Sequence, residues 1–372
     1  MKFETYPFEK LNNLLKDIVP NSDLEPLSLT IGEPQFDTPQ FILDELNTTA
    51  PLLNKYPKTS GEEVLRDAML TYLQNRFSLE LNNTQIIPTF GTREVLFNFP
   101  QFLLHDIENP IMAFPNPFYQ IYEGASIASR AKTIYLNLTA KNNFQPRIDE
   151  KKLRNCDLVI INTPNNPTSS VMLIDELKKW VRLALKYNFV LLNDECYIDL
   201  YLGTPLPSLL NASIEVGNSN FKNILVINSI SKRSSAPGLR SGFIAGDANI
   251  LKEYMTYRTY VGCASPLPLQ YASALAWSDQ NHVDRFRAKY IRNFEIAKEI
   301  LDIDPPLATF YIWLKVDDEI EFTKKLYKDY NLKVIPGSFL GREGEGIGFV
   351  RLALVYKENK TREALERIKK AL

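Results

Sequence analysis

The sequence predicts an α/β protein in which a large domain with a mostly parallel sheet is accompanied by a smaller α+β domain. Between residues 61 and 277, short apolar runs alternate with helical patterns, and polar clusters follow the runs. Strands that are apolar throughout indicate a sheet covered by helices on both faces. Beyond about residue 277, a long charged helix and an alternating strand indicate a second, smaller unit.

The elements are predicted in order along the chain. The proline-rich first forty residues predict an arm and loops. The predicted strands of the large sheet are residues 85–89, 110–114, 157–161, 189–193 and 224–227, and its predicted helices are 62–76, one starting near 94, and 175–186. For the smaller unit, the pattern predicts a helix at 282–301, a strand at 309–316, a helix at 320–330, a glycine-rich loop at 341–348, a strand at 349–354 and a final helix. We expect residues 1–41 to form an arm and part of the small domain, 42–280 the large cofactor-binding domain, and 281–372 the rest of the small domain.

Composition excludes several classes of function. The net charge of −1 gives no indication of a nucleic-acid partner or an anionic membrane surface. Three dispersed cysteines argue against disulfides and a zinc site, and two histidines argue against a histidine-based metal site, so we expect no metal. The N-terminus lacks a signal-peptide pattern and no segment has the length of a membrane span, so we expect a cytoplasmic enzyme.

The most informative stretch runs from Ser229 to Arg240. An apolar strand leads into Ser229 and Ser231, Lys232 follows directly, and Arg240 lies eight residues further on. A partly desolvated lysine can form a Schiff base with a carbonyl, while hydroxyls and an arginine suit a phosphate. Together they suggest pyridoxal 5'-phosphate as cofactor. A solvated cationic loop is the alternative for this stretch alone.

Three positions at predicted strand ends could serve such a cofactor. Asp194 could pair with the protonated pyridine nitrogen, or it could cap a turn. Tyr197 and Asn166 could share the phenolic oxygen, but a packed aromatic side chain and an ordinary Asn-Pro turn explain them equally well.

Further candidates would hold the anionic groups and the ring. Thr92 and Arg93 follow a glycine at a predicted helix start, where backbone amides attract anions, although many helices begin this way. Tyr119 could stack on the ring or belong to the core. Arg351 lies among apolar residues and could bind a ligand carboxylate, or it could face the surface.

The order of these motifs resembles the fold-type I aminotransferases of the aspartate aminotransferase superfamily across nearly the whole chain. The resemblance rests on Tyr56–Gly61, Gly91–Glu94, Asn116–Tyr119, Asn166–Thr168, Asp194–Tyr197, Ser229–Lys232, Arg240 and Arg351. It implies that Lys232 binds the cofactor aldehyde and later moves the substrate proton, that Asp194 pairs with the ring nitrogen, and that Tyr197 and Asn166 bind the ring oxygen.

The resemblance also implies the surroundings of the ring. Tyr119 would stack on it, and the phosphate would lie among Thr92, Arg93, Ser229, Ser231 and Arg240. Tyr56 would reach the phosphate of a neighbouring subunit, which implies a homodimer with shared active sites. Arg351 would bind the substrate α-carboxylate, with Gly32 lining the pocket.

A closer resemblance is to bacterial succinyldiaminopimelate transaminases, and it is carried by residues 91–97, 116–125, 231–234 and 257–264. It implies amino transfer between N-succinyl-L,L-2,6-diaminopimelate and 2-oxoglutarate, with glutamate formed, in diaminopimelate and lysine biosynthesis. Arg93, Arg233 and Arg258 are candidates for the second carboxylate of these substrates, and the last two are more readily explained as surface residues. One departure is Ser169, where the family usually has glycine, so the geometry of that turn is in question.

Three alternatives stay open at this point. The chain could be a transaminase for aspartate, aromatic amino acids or acetylornithine. It could be a cysteine-conjugate lyase of the same fold, which would release pyruvate without a keto-acid acceptor. A non-catalytic regulator would usually carry an additional DNA-binding region with a basic face, which neither the length nor the charge of this chain indicates.

Overall fold

A computed structural model describes residues 2–372 of the chain. The strands are β1 Leu27–Ser28, β2 Ile86–Thr89, β3 Ile111–Asn116, β4 Lys132–Asn137, β5 Leu158–Asn162, β6 Val190–Asp194, β7 Ile224–Ser229, β8 Gly242–Gly246, β9 Tyr311–Lys315, β10 Leu332–Lys333, β11 Ile335–Pro336 and β12 Phe349–Ala353. The helices are α1 Pro7–Leu15, α2 Gln40–Thr49, α3 Glu63–Phe77, α4 Thr92–Leu103, α5 Ile121–Ala128, α6 Glu150–Leu153, α7 Ile174–Tyr187, α8 Leu209–Glu215, α9 Ile230–Arg233, α10 Ala248–Val261, α11 Leu267–Ser278, α12 Asn281–Leu301, α13 Glu319–Tyr330 and α14 Glu358–Ala371.

The large sheet has seven strands in the order β2-β8-β7-β6-β5-β3-β4. Strand β8 runs against its neighbours β2 and β7, and the other pairings are parallel. The predicted mostly parallel α/β sheet is therefore confirmed. Strands β4 and β8 are additions that we did not predict.

Helices cover both faces of this sheet. Along β5, Val159 and Ile161 belong to one buried cluster with side chains of α3, α7 and α11, whereas Leu158 and Ile160 belong to another with α4, α5 and α10. Both alternating sets of side chains are thus buried, which explains why the strand is apolar throughout.

The C-terminal part forms a smaller α+β layer. Strands β11, β12 and β9 make an antiparallel sheet, and β1 pairs with β10 in parallel. Helices α12, α13 and α14 pack on these strands around a separate buried cluster. The division at residues 41 and 280 stays a prediction. Within residues 2–372, none of the helices combines the length and the apolar character that a membrane crossing requires.

The interpretation of the first forty residues as an arm and loops is wrong in one respect. Helix α1 lies there, and its Leu11 and Leu15 are buried against Ile335 and Leu340 of the C-terminal layer. A proline in the first turn, as at Pro7, is a known helix-start signal that the proline-rich composition of the region obscured.

Candidate active site

A cavity of about 720 Å³ lies at the carboxyl ends of the parallel strands. This edge is where open α/β sheets bind their ligands. All the predicted site residues except Tyr56 and the candidates Arg233 and Arg258 line the cavity: Gly32, Thr92, Arg93, Tyr119, Asn166, Asp194, Tyr197, Ser229, Ser231, Lys232, Arg240 and Arg351. The topology thus brings together residues that are spread over more than three hundred positions of the sequence.

Lys232 enters the cavity from a single turn of helix, α9, which follows β7 directly. Ser229 caps this turn, because its Oγ accepts a hydrogen bond from the amide of Ser231 at 3.1 Å. The Nζ of Lys232 donates to the backbone oxygen of Gly32 at 2.5 Å. Desolvation by burial lowers the pKa of Lys232 to about 8, so its amine can take up and release a proton near neutral pH.

Asp194 is the last residue of β6 and is buried. Its Oδ2 accepts a hydrogen bond from the hydroxyl of Tyr122 at 2.8 Å, and its Oδ1 accepts one from the amide of Cys196 at 3.1 Å. Burial raises the pKa of the Asp194 carboxyl above its ordinary value. Because both hydrogen-bond donors are neutral, the carboxylate is well placed to bind a cationic ligand atom.

A cradle with the chemistry to bind an anion is formed by α4, β7 and Arg240. Gly91 precedes α4 with a φ of +75°, and a Cβ at this position would collide with the guanidinium of Arg240. Thr92 and Arg93 at the start of α4 line the same cavity as Ser229, Ser231 and Arg240. Amides of a helix N-terminus, hydroxyls and a guanidinium are together suited to a phosphate.

Arg351 is a buried cation with neutral partners. Its NH1 donates to Oδ1 of Asn166 at 2.8 Å and its NH2 to the backbone oxygen of Thr30, while its Nε has no hydrogen-bond partner among the described residues. The guanidinium lies 4.5 Å from the ring centroid of Tyr311, and only 5% of the residue is exposed. A buried arginine that lacks a carboxylate partner is a favourable site for an anionic ligand.

The three side chains predicted at the ring, those of Tyr197, Asn166 and Tyr119, are hydrogen-bonded to other residues of the cavity. The hydroxyl of Tyr197 lies 2.9 Å from that of Tyr311, and Asn166 contacts Arg351. Tyr119 accepts hydrogen bonds from Nε and NH2 of Arg93 at 2.9 and 2.7 Å.

Two of the three arginines considered for a second carboxylate are already paired. Arg233 donates to Oδ2 of Asp199 at 2.7 Å, and Arg258 donates to Oε1 of Glu94 at 2.7 Å. Both arginines are only 1% exposed, so the expectation that they lie at the surface is wrong. Arg93, in contrast, is exposed and lines the cavity.

Ser169 adopts a left-handed conformation, which glycine would adopt without strain, with a φ of +61°. Its hydroxyl lies 2.6 Å from Oγ1 of Thr309 and donates to the backbone oxygen of Tyr311 at 2.9 Å. These buried hydrogen bonds offset the strain of a left-handed serine, so the turn that carries Asn166 is formed.

Several site residues were not identified from the sequence. Tyr122, Tyr311, Cys196 and Ile31 line the cavity, and Thr30 contacts Arg351. Cys196 lies between Asp194 and Tyr197, so its position was a usable signal; the other four gave none. Tyr56 is fully exposed on its own chain.

A family model described as "Aminotransferase class I and II" matches residues 25–368. The chain belongs to this aminotransferase family. It is therefore a pyridoxal-phosphate-dependent aminotransferase, and it uses amino-acid and keto-acid substrates. The predicted enzyme class and fold type are thus confirmed.

Two solved structures and one relative found by sequence support the same conclusion. The aminotransferase AspB of Helicobacter pylori is 48% identical and has a TM-score of 0.97, with 100% of this chain and 99% of that chain covered. An aminotransferase of Neisseria meningitidis is 39% identical with a TM-score of 0.93, covering 99% and 97% of the two chains. The LL-diaminopimelate aminotransferase of Syntrophobacter fumaroxidans is 27% identical over 98% of this chain and 96% of its own length.

Proposed function

We propose that this aminotransferase uses N-succinyl-L,L-2,6-diaminopimelate as amino donor and 2-oxoglutarate as acceptor, in diaminopimelate and lysine biosynthesis. The observation that carries the proposal is that, besides Arg240 of the cradle, two arginines of the cavity have no carboxylate partner within residues 2–372. Arg351 is buried near Asn166, and Arg93 is exposed and bound to a tyrosine hydroxyl. Two such cations suit a substrate with carboxylates at both ends.

The residues of the cavity fit pyridoxal 5'-phosphate. The cradle at Gly91 and Arg240 suits the phosphate, and the buried carboxylate of Asp194 suits the ring nitrogen. Tyr197 and Asn166 would bind the ring oxygen, and Tyr119 would stack on the ring. When bound, this cofactor supplies an aldehyde that takes the substrate amine and a ring that withdraws electrons from the α-carbon.

The protein's own residues then bind the substrate and move its proton. Arg351 holds the α-carboxylate and fixes the orientation of the α-carbon. The free amine of Lys232 takes the proton from that carbon and becomes an ammonium, which can release the proton again because its lowered pKa of about 8 lies near neutral pH. Asp194 stays ionised beside the cationic ring nitrogen, because an adjacent positive charge offsets the burial that raises its pKa.

The distal end of the donor distinguishes the candidates. N-succinyl-diaminopimelate ends in carboxylates, whereas free L,L-diaminopimelate carries an additional ammonium group at that end. Arg93 attracts the two carboxylates of the former, whereas in the latter the ammonium group offsets the attraction of the single carboxylate. Free L,L-diaminopimelate is nevertheless the second candidate, because relatives 27–28% identical are named LL-diaminopimelate aminotransferases.

We further propose a cytoplasmic homodimer with shared active sites. Tyr56 is fully exposed and does not line the cavity of its own chain. Leu53 and Tyr260 are also large, mostly exposed apolar side chains, at 71% and 89%. Exposed apolar side chains of this size are suited to an interface between copies.

The test is a comparison of kcat/KM for several donors with 2-oxoglutarate as acceptor. N-succinyl-L,L-diaminopimelate should exceed L,L-diaminopimelate, acetylornithine, aspartate and phenylalanine. Release of pyruvate from a cysteine conjugate without any keto acid would instead favour the lyase.

A substitution sharpens this comparison. Arg93→Gln should lower kcat/KM for the succinylated donor by roughly tenfold or more, since it removes a charged hydrogen-bonding group. The matched control is Arg154→Gln, another exposed arginine that does not line the cavity. If Arg93→Gln leaves the preference for the succinylated donor unchanged, Arg93 does not bind the distal carboxylates of the donor. The proposed donor then loses its support.

A further inference from the structure

Three side chains outside the cavity form a hydrogen-bonded chain, and its first member, Ser234, lies two residues after Lys232. Nε2 of His282 lies 2.8 Å from Oγ of Ser234, and Nδ1 of His282 lies 2.6 Å from Oδ1 of Asp279. The amide of His282 also donates to Asp279 Oδ1 at 2.9 Å. Since the carboxylate accepts from Nδ1, Nε2 accepts the hydroxyl proton of Ser234.

The order Ser-His-Asp is that of a hydrolytic triad, but the position of the serine excludes nucleophilic attack. Ser234 is 0% exposed and does not line the cavity. His282 is 1% exposed, and burial lowers its pKa, so the ring stays neutral. A sealed hydroxyl cannot reach a substrate, and the role of the chain must be to hold structure.

We propose that the Asp279–His282–Ser234 chain positions the amine of Lys232, with His282 as a positioning residue. The proposal rests on the proposed role of Lys232 as the group that moves the substrate proton. Helix α9, which carries Lys232, has only four residues, and Ser234 follows it immediately. A single helical turn is not stable by itself, so the direction of Lys232 depends on tertiary anchors on either side.

The residues after Lys232 are held by hydrogen bonds to different parts of the chain. Arg233 is bound to Asp199, two residues beyond Tyr197. Ser234 is bound to His282, the second residue of α12. The Oγ of Ser235 donates to the backbone oxygen of Phe36. The bond at Ser234 thus ties the lysine turn to α12.

Helix α12 connects this anchor to the substrate end of the site. Its Phe294 and Ala297 share a buried cluster with Leu352, the neighbour of Arg351 in β12. The hydrogen-bonded chain therefore fixes Lys232 relative to the layer that carries Arg351. Proton transfer depends steeply on such placement, since an error of about 1 Å can cost roughly a hundredfold in rate.

The first test uses steady-state kinetics on three variants of the full-length enzyme: Ser234→Ala, His282→Leu and the double variant. Each single substitution should lower kcat roughly tenfold and leave the KM of the amino donor nearly unchanged, because substrate binding does not require Lys232 to be aligned. The double variant should lose no more than either single variant, since both substitutions interrupt one chain. The matched control is Ser213→Ala: Ser213 of α8 is also 0% exposed, and its Oγ donates to the backbone oxygen of Asn218, which is near in sequence, at 2.8 Å.

The second test needs neither cofactor nor substrate. In cofactor-free protein, reductive methylation followed by peptide mass spectrometry measures how fast Lys232 reacts. Ser234→Ala should increase this rate severalfold, because Nζ is then less firmly held at the backbone oxygen of Gly32. Nitrogen-15 NMR measures which ring nitrogen of His282 carries the proton. Assignment is simple because the chain has only one other histidine, the exposed His105.

The outcomes separate the inference from the proposed function. Unchanged kcat and unchanged labelling of Lys232 in folded Ser234→Ala would overturn the inference, as would equal losses in the Ser213→Ala control. A protonated Nε2 of His282 in the NMR spectrum of the parent enzyme would overturn it as well. Normal activity in Lys232→Ala would contradict the proposed function instead, while the labelling and NMR results would still stand.

Discussion

Arg351 offers the sharpest quantitative prediction, and the perturbation is its replacement by methionine. The guanidinium is buried, its NH1 and NH2 bind neutral oxygen atoms, and its Nε has no partner in the described part of the chain. A substrate α-carboxylate bound there would gain two charge-assisted hydrogen bonds, each contributing about 1.5–3 kcal/mol. Arg351→Met should therefore weaken binding by about 3–6 kcal/mol, which lowers kcat/KM by about two to four orders of magnitude.

The same geometry determines how the loss of kcat/KM divides between kcat and KM. The carboxylate is bound in both the ground state and the transition state, so most of the loss should appear as a higher KM. Arg351→Lys keeps the positive charge but cannot form a bidentate pair of hydrogen bonds with a carboxylate. It should therefore lose about half as much binding free energy as Arg351→Met. Thermal unfolding of each variant verifies that it is folded.

The assay compares an amino acid with the corresponding amine that lacks the α-carboxylate. Arg351→Met should affect the amino acid strongly and the amine very little. A loss of less than about tenfold for the amino acid, or an equal loss for both compounds, would refute the assignment of Arg351 to the carboxylate.

The remaining predictions concern Lys232 and a carboxyl group behind the sheet edge. Lys232→Ala should abolish turnover and the visible absorbance of the bound cofactor; retention of either, measured by spectroscopy and donor turnover, contradicts the proposed role. In cofactor-free protein, labelling of Lys232 should increase with pH through about 8, whereas exposed lysines should respond only at higher pH. Burial raises the pKa of Glu195 to about 7, so the folded state holds a proton that the unfolded state has released between pH 4.5 and 7, and stability falls as pH rises across this range. Glu195→Gln keeps Oε1, which accepts all three hydrogen bonds, and its melting temperature relative to the parent should be higher at about pH 8 than at about pH 5; an unchanged difference would contradict the raised pKa.

Much of the site was predictable because polar residues follow apolar strands in this chain. Asp194 and Ser229 are the last residues of β6 and β7, which are neighbours in the sheet. Parallel strands end at one edge, so residues after different strands meet there even when they are distant in sequence. The large sheet and one side of the cavity therefore followed from local patterns.

The contacts between elements were not predictable in the same way. Tyr122 lies on α5 and Tyr311 begins β9, and neither position differs locally from that of a core aromatic residue. Their hydroxyl groups reach Asp194 and Tyr197 only because helix and strand pack at particular angles. Strand β8 was missed for a related reason, since its glycines weaken the strand signal and Gly246 is required by the close approach of the Ile224 carbonyl.

The arginines explain why residue type alone could not separate structural from functional positions. Arg233 lies beside Lys232 in the most informative motif, yet its charge is compensated by Asp199. Arg351 lies in an ordinary apolar strand, and its buried guanidinium has neutral partners. The distinction depends on whether a carboxylate from a distant element reaches the cation, because a charge that is already paired gains less free energy from an anionic ligand than an unpaired one. In this protein the partner of an arginine, more than its neighbours in sequence, indicates whether it is a candidate for binding substrate.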